Sequence, residues 1–138
     1  MQLQLAAELG VERSIMILPF LDRDMLAAVY RRAALLLHTA EAEGFGLPIL
    51  ESMACGCPVV ASDVAVLREI GAAAATYCGL GSIDDWTETV TGLVRERAQD
   101  HCAWEFRRQR GVAQAARFSW VENARQTAAV YRKILEND

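Results

Sequence analysis

Two glutamates, Glu43 and Glu51, stand with seven residues between them around a glycine-rich turn, Gly44-Phe45-Gly46. An ionised carboxylate only accepts hydrogen bonds, which suits the paired hydroxyls of a ribose or a sugar ring. Pro48 fits the first turn of a helix, because its φ is already set and its missing N–H would be unpaired there anyway. A helix is therefore expected over 47–54, ending at Cys55-Gly56, where glycine takes the left-handed stop. Gly44 and Gly46 let the backbone come close to a bound group. The N–H groups of the first helical turn, helped by the helix dipole, form an anion site. Helical side chains lean toward the N-terminus, so Glu51, one turn in, reaches back toward whatever the helix start holds. Phosphate at a helix start and hydroxyls at two acids describe a nucleotide sugar. The competing reading makes Glu43 a helix cap and Glu51 a solvated surface acid, and spacing alone does not separate the two.

The elements that must position these residues alternate between strand and helix. Leu3, Ala6, Ala7 and Leu9 have helical spacing over 1–9, stopped by Gly10. The apolar run 14–18 reads as a short buried parallel strand broken by Pro19. Phe20 and Leu21 follow its C-terminal end, where open α/β sheets bind ligands, and are candidates to touch a nucleotide base. Asp22 suits the N-cap of a helix over 23–32. Residues 33–38 form the next strand, and Thr39 opens the loop 39–43. After the central helix, 58–61 is a third strand. Next comes a helix over 64–70, capped by Ser62 or Asp63, and a weaker strand over 73–77. Asp84 is expected to cap a helix to about residue 98, followed by a helix over 100–116. Ser119 caps a last helix over 120–135, whose Val121, Ala124, Ala128 and Tyr131 are spaced as in a helix packed on a domain. Strands alternating with helices give an α/β fold, a parallel sheet with helices on both faces.

A chain of 138 residues, 53% hydrophobic, can bury a real core as one domain. Its net charge of −4 argues against a general nucleic-acid binder, whose phosphate affinity needs clustered positive charge. The apolar run 33–37 is too short to cross a membrane. Met1 leads into a polar, helical stretch, so no secretory leader is expected. Cys55 and Cys57 are too close for zinc ligands and have no histidine near them in sequence. All four cysteines, with Cys78 and Cys102, are read as small buried residues in a reduced cytoplasm. His38 and His101 are read as satisfied structural histidines, although His38 ends a strand that faces the site and could touch substrate.

The stretch 41–63 resembles the glutamate-x7-glutamate motif of the retaining glycosyltransferases of the GT-B group, known as group 1 or family 4. The likeness goes beyond two acids. Gly44-Phe45-Gly46-Leu47-Pro48, Glu51, Gly56, Pro58-Val59-Val60 and Ser62-Asp63 all fall where that family has similar residues. The flanks look alike over 9–75, and more weakly to the C-terminal end. The resemblance implies a Rossmann-like fold and transfer of sugar from a nucleoside-diphosphate sugar with retention, without a cofactor or a bound metal. In the family the first glutamate contacts the donor sugar and the second the nucleotide ribose. Glu43 is thereby implied as catalytic, and Glu43, Gly44, Phe45, Gly46, Leu47, Glu51 and Thr39 as donor-binding.

The same resemblance covers only the later part of the second GT-B domain, so residues 1–138 are expected to form a single partial domain. The N-terminal domain, which would carry a sugar or lipid-linked acceptor, has no counterpart here. Neither do the first strands of the second domain, nor the arginine and lysine that steady the departing diphosphate. An uncovered sheet edge then favours self-association. Arg107, Arg108, Arg110 and Arg117 could meet acidic lipid heads at the inner face of a membrane, but interspersed acids favour a solvated helix face. Two other functions compete with a glycosyltransferase. One is a non-catalytic module binding a nucleotide sugar or a partner. The other is a glycoside hydrolase with two carboxylates, disfavoured because neither acid has apolar surroundings to raise its pKa.

Overall fold

The computed structural model describes residues 2–136. At its centre lies a three-stranded parallel sheet in the order β1 (Leu36–His38), β2 (Val59–Ser62), β3 (Thr76–Cys78). Leu36 pairs with Val59, and Val60 with Thr76. Parallel neighbours need a crossover. Helix α3 (Leu47–Ala54) makes the first and α4 (Ala65–Gly71) the second.

Side chains alternate across a strand, so β2 feeds two cores. Val59 and Ala61 pack with Ile49 and Met53 of α3, Leu67 and Ile70 of α4, and Ala115. Val60 packs on the other face with Cys78, Leu93 of α5 (Ile83–Gln99) and Trp104 of α6 (His101–Ala115). All four β2 residues are buried, as a central parallel strand requires. The expected helix over 47–54 and the sheet with helices on both faces are both present.

Local chemistry explains where the elements begin. Asp22 caps α2 (Arg23–Arg32), its carboxylate accepting from the Met25 amide at 2.8 Å. Ser119 caps α7 (Trp120–Leu135) in the same way at Glu122. The N-terminal helix, α1, covers Gln2–Glu8, and Gly10 follows at φ +67; Met1 lies outside the described residues.

Five expectations are corrected. Residues 14–18 are not a strand. A 3-10 turn at Glu12–Ser14 leads into chain with no ladder, and Met16, Ile17 and Phe20 are 81%, 69% and 98% exposed. A strand exists through the neighbour it bonds to, and the described residues place none beside this run. The weaker strand expected over 73–77 starts at Thr76 instead, because Ala72–Ala74 close a 3-10 turn and alanine favours extended backbone less than Thr76 and Tyr77 do. Neither Ser62 nor Asp63 caps α4. Ser62 is buried in β2, and the Asp63 carboxylate pairs with both Nε and Nη2 of Arg68, the latter at 2.6 Å. Ser82, not Asp84, caps α5, leaving Asp84 in the first turn, where the helix dipole favours an acid. Finally, α7 is not packed through its apolar stripe: Val121 is 79% exposed and Tyr131 64%.

The four arginines are engaged within the protein. Arg107 makes a two-pronged pair with Glu96, both bonds 2.9 Å. Arg108 donates to the Gly56 carbonyl, Arg110 to the Ala73 carbonyl and Arg117 to Gln114. Among the described residues, no helix is long and apolar enough to cross a membrane.

Candidate functional site

The C-terminal end of β1 and the N-terminal end of α3 meet across the loop that carries Glu43. Gly46 makes this possible: it stands at the N-cap of α3 with φ +94, a left-handed conformation natural only to glycine. A side chain there would also meet Leu67 Cδ2 at 2.9 Å. Gly46→Ala is accordingly expected to lower stability by about 1–3 kcal/mol. Denaturant unfolding reads this directly, and an unchanged midpoint would show that the loop tolerates another conformation.

Glu43 is held at both oxygens. Oε1 accepts from the Gly44 amide at 3.2 Å, and Oε2 faces His38 Nε2 at 3.2 Å. Desolvation pushes the Glu43 carboxyl up. The His38 hydrogen bond, the Gly44 amide, the His38 charge and the Gly46 amide outweigh it, and the group sits below the usual carboxylate range. Glu43 is therefore an anion at neutral pH.

The helix start is more selective than its sequence suggests. Pro48 has no N–H, and the Ile49 and Leu50 amides both turn to the Gly46 carbonyl, at 3.2 and 3.3 Å. Among the described residues, this leaves the Leu47 amide as the first-turn donor not spent on the chain's own backbone.

Glu51 lies on the opposite face of α3 from the buried Ile49, Ser52 and Met53. It lines a concavity of about 690 Å³ together with Phe45, Leu47 and Leu50, and the far wall comes from Phe118 and the start of α7. That is the size range of a small-molecule site. Phe45 meets Phe118 edge-to-face with ring centroids 6.1 Å apart, which ties the glycine-rich loop to the chain entering α7. Arg23 and Arg117 bring positive charge to the same concavity, and Asn123 and Gln126 bring amides.

Of the residues singled out from sequence, Phe45, Leu47 and Glu51 share this concavity, while Glu43 and Gly44 gather at His38. Thr39 is exposed at the end of β1. Phe20 stands out in solvent and Leu21 is half-buried; neither lines the concavity. Arg23, Arg117 and the α7 amides were not anticipated as site residues, and from sequence His38 reads first as structural and only second as a substrate contact. The one sequence signal for His38 is its place at the end of a strand that points to the loop. The cysteines fit only in part: Cys57 and Cys78 are buried, which raises their thiol pKa, but Cys55 is half-buried and Cys102 exposed.

The family model described as glycosyl transferases group 1 matches residues 2–110. The chain belongs to the group 1 glycosyl transferases. Among the relatives of this group 1 chain is the O-antigen chain mannosyltransferase B of Escherichia coli, 35% identical over 82% of the chain and 28% of the relative. Another is the D-inositol 3-phosphate glycosyltransferase of Mycolicibacterium paratuberculosis, 33% identical over 96% of the chain and 30% of the relative. The structure resembles that of sucrose-phosphate synthase from Thermosynechococcus elongatus, with a TM-score of 0.83 and 24% identity, over 98% of this chain and 34% of the other. The likeness shows the fold, the Rossmann-like α/β architecture of GT-B proteins. The group 1 chain spans less than a third of the length of the curated relatives it matches, between 28% and 31%.

Proposed function

We propose that the chain is the donor-binding part of a glycosyltransferase that takes sugar from a nucleoside-diphosphate sugar with retention. The observation that carries this reading is the pairing, around one helix start, of an anionic Glu43 with a Glu51 that opens onto a concavity of ligand size. Glu43 accepts hydrogen bonds from hydroxyls of the donor sugar, and Glu51 from those of the ribose. Arg23 and Arg117 supply positive charge in the concavity that Glu51 and Glu122 also line. The acceptor, a sugar or a lipid-linked sugar, is held by parts of the protein outside this chain. Four free cysteines suit a reducing compartment, so the cytoplasm is the proposed location.

A hydrolase reading is weaker on the same observation. A glycosidase needs one carboxyl held protonated to act as acid, and the surroundings of Glu43 hold it ionised. A non-catalytic nucleotide-sugar module would share the binding site, and turnover by the complete protein decides against it.

Glu51→Gln is the direct test. A hydrogen bond to a charged group contributes about 1.5–3 kcal/mol, so affinity for a nucleoside diphosphate should fall roughly ten- to a hundredfold with the fold intact. Titration calorimetry across uridine, guanosine and adenosine diphosphates measures it. Equal affinity in the variant would return Glu51 to the status of a surface acid.

A further inference from the structure

Glu43 sits on a loop without regular structure, yet its carboxylate is tethered to a strand. His38 is the last residue of β1, in register with Ala61 of the buried β2, and its side chain is only 15% exposed. Its Nε2 lies 3.2 Å from Oε2 of Glu43. An ionised carboxylate has no proton to give, so the hydrogen of this bond is on His38 Nε2, which fixes the orientation and the protonated nitrogen of the ring together. The second oxygen is held from the loop side by the Gly44 amide.

We propose that His38 is a positioning residue for Glu43, anchoring its carboxylate to the sheet so that it meets the donor sugar already oriented. The proposal rests on the reading of Glu43 as a sugar contact and adds the group that sets its geometry. Two features separate it from an incidental ion pair. His38 and the amides of Gly44 and Gly46 act on a carboxylate that offers about four lone-pair sites, and the side chain remains 26% exposed, so accepting capacity is left for sugar hydroxyls. The support also comes from an ordered strand, the kind of element that can hold a loop group within the tolerance that transfer chemistry needs. The groups acting on the Glu43 carboxylate are the His38 imidazole from β1 and the amides of Gly44 and Gly46 from the loop.

The test compares His38→Leu, which keeps apolar bulk in a strand already rich in leucine, with His38→Gln, which restores an N–H donor without a titrating ring. Carbon-13 NMR follows the Glu43 carboxyl from pH 2 to 8, with circular dichroism as the check on folding. His38→Leu should raise the Glu43 titration midpoint, and His38→Gln should bring most of it back. In calorimetry, His38→Leu should weaken UDP-glucose, GDP-mannose or ADP-glucose, whichever binds, roughly two- to tenfold, the size of one hydrogen bond. The bare diphosphate, which lacks the sugar, should bind as before. A folded His38→Leu protein whose Glu43 titrates as in wild type overturns the positioning role outright. Glu43→Gln serves as the control on the underlying reading. If it leaves the sugar-dependent share of affinity untouched, the sugar contact itself is wrong, even where the titration shift confirms the tether.

Discussion

Expressed as these 138 residues alone, the protein is expected to bind a nucleoside diphosphate weakly and to transfer no sugar. Transfer needs donor and acceptor held in line, and orientation of that kind supplies roughly 7–11 kcal/mol of a barrier. The chain spans less than a third of the length of its curated relatives, and its concavity is walled by α3, the start of α2 and the start of α7. On the proposed reading Glu51 and two arginines recognise a donor there and Glu43 meets its sugar, but none of them places an acceptor against it. A deficit of about 10⁵-fold or more relative to the complete enzyme follows. Radiolabelled sugar transfer and donor hydrolysis are the assays, run beside a size measurement in solution. The edge of β1, unpaired among the described residues, and the exposed apolar side chains of Met16, Ile17 and Phe20 should make the isolated chain self-associate. Robust turnover by the isolated chain would overturn the division of labour proposed above.

A second large effect is expected from the core beneath the site. Met53 is fully buried on the inner face of α3, with the α6 backbone passing close to it at Gly111. Met53 joins Ile49 in packing α3 against α6 and β2, and that packing fixes the helix that presents Glu51. Truncating Met53 to alanine removes buried methylenes and leaves a void, at a cost of about 2–5 kcal/mol. Small domains are stable by only about 5–15 kcal/mol, so the variant should be folded but marginal. Its melting temperature should drop by roughly 8–20 °C. A fall of less than about 3 °C would mean that the neighbours collapse into the space, and that the site rests on some other contact.

Much of this architecture is written in local residue chemistry. The sequence Gly46-Leu47-Pro48 announces a helix start, and Gly56 its end, because each residue type answers a backbone requirement at its own position. The apolar run Val59-Val60-Ala61 of β2 likewise declares a strand buried on both faces. What the sequence hides depends on partners. Residues 14–18 are as apolar as a strand, but composition does not reveal whether a neighbour is present to bond with. Ser82 and Asp84 are both good caps, and only the path of the chain into α5 selects the serine. The tether from His38 to Glu43 crosses the bend from strand to loop, where no periodicity links two positions. The concavity beside Glu51 joins Arg23, α3 and α7, which are distant along the chain and meet only after folding.

The order of the strands in the sheet is also their order along the chain. Each strand docks beside its immediate predecessor, with a single α-helix in each connection. Loop closure is therefore short-range at both steps, and the entropy lost before contacts form stays small. Such a sheet can be laid down one strand at a time as the polypeptide leaves the ribosome, with β1 as template for β2 and β2 for β3. The loop bearing Glu43 is enclosed within the first of those steps, so the tether from His38 can form before the last two helices have been made.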